Sequence, residues 1–179
     1  MRRPDPKRHR LLAIALSSRG LGYAVIEGEK FLVDYGNMSV KGDKNRQCLA
    51  RTKRLFELYL PDLLVLQDVT AKGSHRAPRI KTLNQQIIET ASKRRLRVAL
   101  FSGKQLRNIL LGNIRGTKYE VAQLLAKRFP DELTLRLPPK RRPWESADAR
   151  MDTFDAVALA VAFRMREGGN VPGEIQRQG

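Results

Sequence analysis

The four residues Leu63-Leu64-Val65-Leu66 are apolar at every position, and this stretch limits the fold more than any other. An apolar run this short, flanked by polar residues, is what a central strand buried on both faces requires. Such a strand needs neighbours in a sheet and helices packed on either side of that sheet.

The remaining segments supply both. Leu11 to Leu16 is a second short apolar run, ending at the turn Ser17-Ser18-Arg19-Gly20. Leu21 to Glu27 resumes as a strand, Gly28-Glu29 predicts a two-residue hairpin, and Lys30 to Tyr35 pairs back, so the chain opens with an antiparallel meander. Asp43 can cap a helix over Lys44 to Leu60, which Pro61 ends. After the run at 63–66 come a polar, basic loop from Lys72 to Pro78, a helix over Ile80 to Lys93 and a strand at Arg97 to Phe101. Ser102 starts a short helix that stops at Gly112, and Thr117 with Glu120 forms a capping box ahead of a helix to Phe129. Pro130 to Pro143 holds four prolines and no period, which reads as a surface linker, and a last helix is expected from Ala149 to Arg166. The expected organisation is a basic tail over 1–10, one α/β domain over 11–166 and a disordered tail over 167–179. Within the domain, three antiparallel strands and then parallel strands form a mixed sheet flanked by helices.

Charge bears on partners. Lys and Arg number 35 against 18 Asp and Glu, a net +17. An excess of that size repels itself in a compact fold and is relieved by a polyanion. Nucleic acid is the leading candidate, since each phosphate contact releases counterions; a ribosome-bound protein or a generally basic proteome gives the same composition. Cys48 is the only cysteine, so no internal disulfide forms and a thiolate metal site is excluded. No stretch approaches the ~20 apolar residues of a membrane span, and the run Leu11 to Leu16 is too short, and lacks a cleavage site, for a secretory signal. The expected compartment is the cytoplasm, with no membrane among the partners.

On the final helix Met151, Phe154, Val157, Ala158, Val161 and Met165 fall on one arc, with Asp148, Asp152 and Asp155 on a neighbouring stripe. Acids so close repel one another by about 0.2–0.5 kcal/mol per exposed pair. A divalent cation such as Mg²⁺, which takes oxygen ligands, is one reason to group them. Helix capping by Asp152, the helix dipole, or pairing with arginine are the others.

The assembled segments resemble the RuvC family of Holliday-junction resolvases, within the RNase H-like superfamily. The resemblance rests on Leu12-Ala13-Ile14-Ala15 with Ser18 to Ile26, on Pro61 to Gln67, on Leu106-Arg107, Gly112, Gly116, Lys118 and Val121, and on Asp152-x-x-Asp155-Ala156. It implies an RNase H-like fold and two-metal phosphodiester hydrolysis, with an Asp on the first strand, a Glu at the end of the central strand and two acids on the last helix. Asp152 and Asp155 match the helix acids, but the first-strand acid falls on Ala15 and the central Glu on Gln67. A methyl group cannot ligate a metal, and Gln67 offers a carbonyl oxygen without charge. Holding two dications together is costly, about 4 kcal/mol per pair of unit charges at ~4 Å even at an effective dielectric near 20. Asp68 could rebuild part of the cage only if a bulge turned it to its neighbour's face. The catalytic candidates are therefore Asp152, Asp155, Gln67 and Asp68, the metal candidates are Asp152, Asp155 and Asp148, and Mg²⁺ is expected to be weakly held or absent.

Candidate nucleic-acid contacts are Lys72, His75, Arg76 and Arg79 after the central strand, and Lys104, Arg107, Arg115 and Lys118 further on. The resemblance places them at the sheet's carboxyl end, where α/β folds bind ligands. The aromatic with which the resolvases unstack a junction falls here on Thr70. Lys93-Arg94-Arg95 and Lys140-Arg141-Arg142 can hold phosphates or be solvated helix ends. Trp144 can stack on a base, although a core plug fastening the linker is the preferred reading. The expected function is a RuvC-like nucleic-acid-binding protein, DNA ahead of RNA, branched DNA included, with nuclease activity impaired or lost. Two alternatives stand beside it: an active Mg²⁺-dependent endonuclease using Asp68, Asp148, Asp152 and Asp155, and a basic structural partner in a nucleoprotein complex. The sequence leaves open whether the chain forms a homodimer, as the resolvases do.

Overall fold

The computed structural model describes residues 9–168. Five strands form one sheet: β1 (Arg10–Leu16), β2 (Gly20–Glu27), β3 (Phe31–Ser39), β4 (Leu63–Gln67) and β5 (Arg97–Phe101), in the order β3-β2-β1-β4-β5. The first three are antiparallel neighbours; β4 runs parallel to β1, and β5 parallel to β4. This is the mixed sheet that the alternation of apolar runs predicts.

Helices α1 (Lys44–Tyr59) and α2 (Pro78–Lys93) cover one face. The other is covered by α3 (Gly103–Leu111), α4 (Lys118–Arg128), the short α5 (Pro130–Leu133) and the long α6 (Met151–Gly168). The two-residue strand period sorts the core between them. On β1, Leu12, Ile14 and Leu16 pack with Cys48, Leu55 and Phe56 of α1 and Leu83 and Ile87 of α2. Leu11, Ala13 and Ala15 face Phe154, Val157 and Val161 of α6. On β4, Leu63 and Val65 share that second face while Leu64 and Leu66 share the first. Gln67, next in step after Leu63 and Val65, therefore points to the side of Ala15, and Asp68 falls out of step with it.

The start of α6 lies directly on the sheet. A Cβ at Gly22 would sit 1.8 Å from the carbonyl oxygen of Asp152, and Gly22 is the cross-strand partner of Ala15. Two small residues side by side thus let the helix backbone touch β2. From Asp152 to Phe163 the helix is buried on almost every side, Asp155 being the half-buried exception, a wider apolar surface than the single arc expected.

The helix limits expected from caps hold well. Asp43 accepts from the Arg46 amide, and Leu60 closes α1 in the left-handed region at φ 45°. The expected capping box of Thr117 with Glu120 forms, Ser102 starts α3 with a further one to Gln105, and Gly112 ends α3 at φ 74°. Four expectations are corrected. The β2–β3 turn has three residues, 28–30, with Glu27 opposite Phe31 and a bulge at Val25/Ile26, and β3 extends to Ser39. Pro130 to Pro143 is not all linker: Pro130 presets the first turn of α5, Asp131 and Glu132 suit its N-terminus, and a 3₁₀ turn follows over Thr134–Arg136, with Leu133 buried. The last helix starts at Met151, which leaves Asp148 outside it. Trp144 is no core plug; it is exposed. The expected tails fall, for residues 1–8 and 169–179, outside the described residues. Among those described, no helix is long and apolar enough to cross a membrane.

Replacing Gly22 by Ala forces a methyl group into the Asp152 backbone, and overpacking of this kind costs about 1–3 kcal/mol or more. Urea denaturation is expected to show that loss in Gly22→Ala with an unchanged slope on denaturant.

Candidate functional site

The parallel strands β1, β4 and β5 end on the same edge of the sheet, and the loops leaving them meet the first turns of α4 and α6 there. A cavity of about 50 Å³ opens at this edge, with Ala15, Gln67, Leu106, Arg107, Lys118, Val121 and Asp155 in its walls. Three of the four positions that the resemblance singles out are therefore brought together. The fourth, Asp152, lies just outside the cavity, beneath the β1–β2 turn.

Each acidic position at this edge already has a partner from the chain itself. The Ser17 hydroxyl donates to Asp152 Oδ2 at 2.8 Å, and the Arg19 guanidinium reaches Oδ1 at 3.2 Å while also donating to the Ala147 carbonyl at 2.8 Å. Asp152 is only 5% exposed. Burial pushes its pKa up, the Ser17 bond and Arg19 pull it back, and the nearby Asp155 adds a smaller push upward. Lys118 Nζ lies 3.0 Å from Asp155 Oδ2. The Gln67 amide oxygen accepts from Arg76, which also donates to the Leu16 carbonyl at 3.2 Å. Asp148 accepts from both the backbone and the guanidinium of Arg150, which hold its pKa down at about 2. Asp68 turns to its own loop: its Oδ1 accepts from the Thr70 amide at 3.0 Å and the Thr70 hydroxyl at 2.7 Å.

The rearranged cage of Asp68, Asp148, Asp152 and Asp155 therefore does not assemble. No bulge turns Asp68 toward Ala15, and Asp148 lies off the helix that would aim it inward. Among the described residues no three His, Cys, Asp or Glu side chains form a group able to hold a metal ion. The donor set does not fit a pair of magnesium ions. Two dications would bring four positive charges to a site whose two remaining carboxylates are each already paired with a cation.

What the edge does offer is a basic trough. A depression of about 590 Å³ is walled by Ser17, Arg19, Arg76, Lys118, Lys140 and Arg141 together with the three neutralised acids Asp148, Asp152 and Asp155. A second, of about 360 Å³, is walled by Gln67, Asp68, Lys72, His75, Arg76, Lys104, Arg107 and Lys118. Arg76 and Lys118 belong to both, so the two form one trough across the sheet edge.

Six of the eight sequence-predicted contacts line it. Arg79 does not; it donates to Asn45 Oδ1 at 2.9 Å and to the Ser17 carbonyl, tying the loop to α1. Arg115 is exposed on the α3–α4 loop and borders neither depression. The six fall into two kinds. Arg76 and Lys118 are engaged as above, and Arg107 Nε donates to the Ile114 carbonyl at 2.9 Å. Lys72, His75 and Lys104 make no side-chain hydrogen bond or ion pair among the described residues. Of the two basic runs, Lys140 and Arg141 join the trough wall, whereas Arg94 pairs with Glu57 and stacks on Phe56 in the α1–α2 layer. Sequence reasoning missed Ser17 and Arg19. Their only signal is the hairpin register, which sets the β1–β2 turn beyond Ala15 and Gly22 where α6 begins.

No protein-family model matches this chain, and no curated protein is significantly similar to it. Solved structures do match. The RuvC structure of Thermus thermophilus aligns with a TM-score of 0.66 at 16% identity, covering 89% of this chain and 95% of that one. T. thermophilus RuvC in complex with Holliday junction substrate aligns at 0.63 and 15% identity, with the same coverage. The yeast mitochondrial Holliday junction resolvase aligns at 0.59 and 11%, covering 88% of this chain and 78% of that one. The chain has a RuvC-like, RNase H-like fold.

Asp152 and Asp148 give opposite pH signatures. Asp152 holds its proton to higher pH folded than unfolded, so its favourable contribution is complete below about pH 4, the unfolded value, and is lost as pH rises through the folded one. Asp148, at about 2 when folded, contributes above about pH 4 and loses that contribution as pH falls toward its folded value. In urea denaturation across this range, Asp152→Asn is expected to gain stability relative to the wild type as pH rises, and Asp148→Asn to lose it, by the smaller amount suited to its greater exposure.

Proposed function

We propose that this chain, built on the RuvC-like fold, binds nucleic acid along its basic trough without cutting it. DNA is its ligand ahead of RNA, and branched DNA is included. One observation carries the reading: the acidic positions of the resolvase cage are either replaced, at Ala15 and Gln67, or neutralised by Arg19 and Lys118, while Lys72, His75 and Lys104 have no side-chain partner among the described residues. A surface of this kind attracts phosphate and lacks the negative charge that would hold metal ions beneath it.

The net charge of +17 supports the same partner, because counterion release favours phosphate contact whatever the sequence bound. Branched DNA is supported by the fold shared with a resolvase seen on Holliday junction substrate. Thr70, where the resemblance puts the unstacking aromatic, has its hydroxyl engaged by Asp68, so junction distortion is not part of the reading. Mg²⁺ has no catalytic role in it, and the cytoplasm is the proposed compartment.

The test is fluorescence anisotropy with a four-way junction, a duplex and a structured RNA between about 50 and 200 mM salt, a range over which several phosphate contacts change affinity by orders of magnitude. Affinity should fall steeply with salt, with the junction bound tightest. Lys72→Ala and Lys104→Ala should each flatten the log–log slope by about one. With Mg²⁺ or Mn²⁺ added, the junction should stay intact. Weak binding that ignores salt and shape would favour the structural-partner role, and cleavage abolished by Asp155→Asn would overturn the non-cutting assignment.

A further inference from the structure

Trp144 is the chain's single tryptophan, and 76% of it is exposed. A ring of that size is usually mostly buried, and an exposed one calls for a reason. Its setting is a built turn. The Arg142 amide donates to the Glu145 carboxylate at 2.9 Å, the Glu145 amide donates back to the Arg142 carbonyl at 3.0 Å, and the Arg141 guanidinium donates to the Glu145 carbonyl at 2.9 Å. The Arg142 guanidinium sits 5.7 Å from the indole centroid, a cation–π distance. The hydrogen bonds hold the backbone on both sides of the ring, and with Arg142 over it the ring is still largely exposed.

The turn is also continuous with the trough. Lys140 and Arg141 form part of its wall, and the three residues from Arg141 to Trp144 span at most roughly 10 Å. Trp144 is thus within that length of backbone of the cationic wall, although it is not itself part of it. Cationic walls beside an exposed aromatic are the elements by which proteins hold single strands, the cations tracking phosphates and the ring stacking on a base.

We propose that Trp144 is a stacking platform for an unpaired base of a strand whose phosphates lie in the trough. The inference rests on the nucleic-acid-binding reading above and adds to it a preference for unpaired nucleotides. A base inside a duplex has both π-faces occupied by its neighbours and cannot offer one to the indole, whereas a single-stranded arm or flap can.

With one tryptophan in the chain, its fluorescence reports on this contact alone. Oligothymidylate and oligouridylate are titrated into the full-length protein beside a blunt duplex, following tryptophan emission and, separately, the anisotropy of labelled strands. The single strands should quench the emission and the duplex should not, and the comparison of the two strands tells DNA from RNA. Trp144→Ala should weaken single-strand binding roughly tenfold, within the range for one stacked base, and leave duplex binding unchanged; Trp144→Phe should restore most of the loss. Binding without quenching, or equal quenching by duplex, would overturn the stacking role and leave the trough intact. No binding of any nucleic acid by anisotropy would remove the trough reading, and the platform with it.

Discussion

Two ion pairs, Arg19 with Asp152 and Lys118 with Asp155, govern what the end of this sheet can do. They put positive charge from the β1–β2 turn and from α4 on the only two acids that α6 presents there. Asp152 is nearly buried, and a buried carboxylate stays charged only where a cation and hydrogen bonds compensate its lost water. A metal ion entering the site would have to displace an ammonium and a guanidinium already at contact distance. Ala15 and Gln67 in the other two positions add no negative charge to favour the exchange, and Asp148 in the same trough wall is taken by Arg150.

The pairs depend in turn on how closely α6 meets the sheet. Gly22 lets the helix backbone reach β2, Ala15 keeps its cross-strand neighbour equally small, and the hairpin register then sets Ser17 and Arg19 over the first turn of the helix. On the opposite side, the Thr117 capping box fixes the start of α4 so that Lys118 faces Asp155. Arg76 works the same way between the ends of β1 and β4. Several basic residues are thus part of the fold, and the lysines without a partner among the described residues lie one layer out, Lys72 on the loop after β4 and Lys104 in the first turn of α3.

Much of this was legible in the sequence, and the reasons are local. The strand period sets the neighbours Gln67 and Asp68 on opposite faces, and Gln67 lines the cavity that holds Ala15 while Asp68 does not. Capping residues set the helix starts because each satisfies backbone donors within three positions. The misreadings came where structure is decided at a distance or by small differences in turn geometry. A three-residue turn and a two-residue one leave similar traces at Gly28, and Leu133 is buried in the core cluster that also holds residues of α4 and α6, which its proline-rich surroundings do not announce. Arg19 and Asp152 are 133 positions apart, and nothing near either names the other. Asp148 looked helical by spacing, yet its carboxylate is taken by Arg150 two residues on.

Manganese binding followed by electron paramagnetic resonance tests most directly whether the chain's own cations have taken the place of metal ions. Free Mn²⁺ has a sharp spectrum that is lost on binding, so titrating the ion into the protein counts sites. The free signal is expected to persist up to millimolar ion, and only when Arg19 and Lys118 are both neutralised, as Arg19→Gln with Lys118→Gln, should weak binding appear. Two Mn²⁺ per chain bound at micromolar concentration by the unaltered protein, and lost in Asp155→Asn, would contradict that replacement.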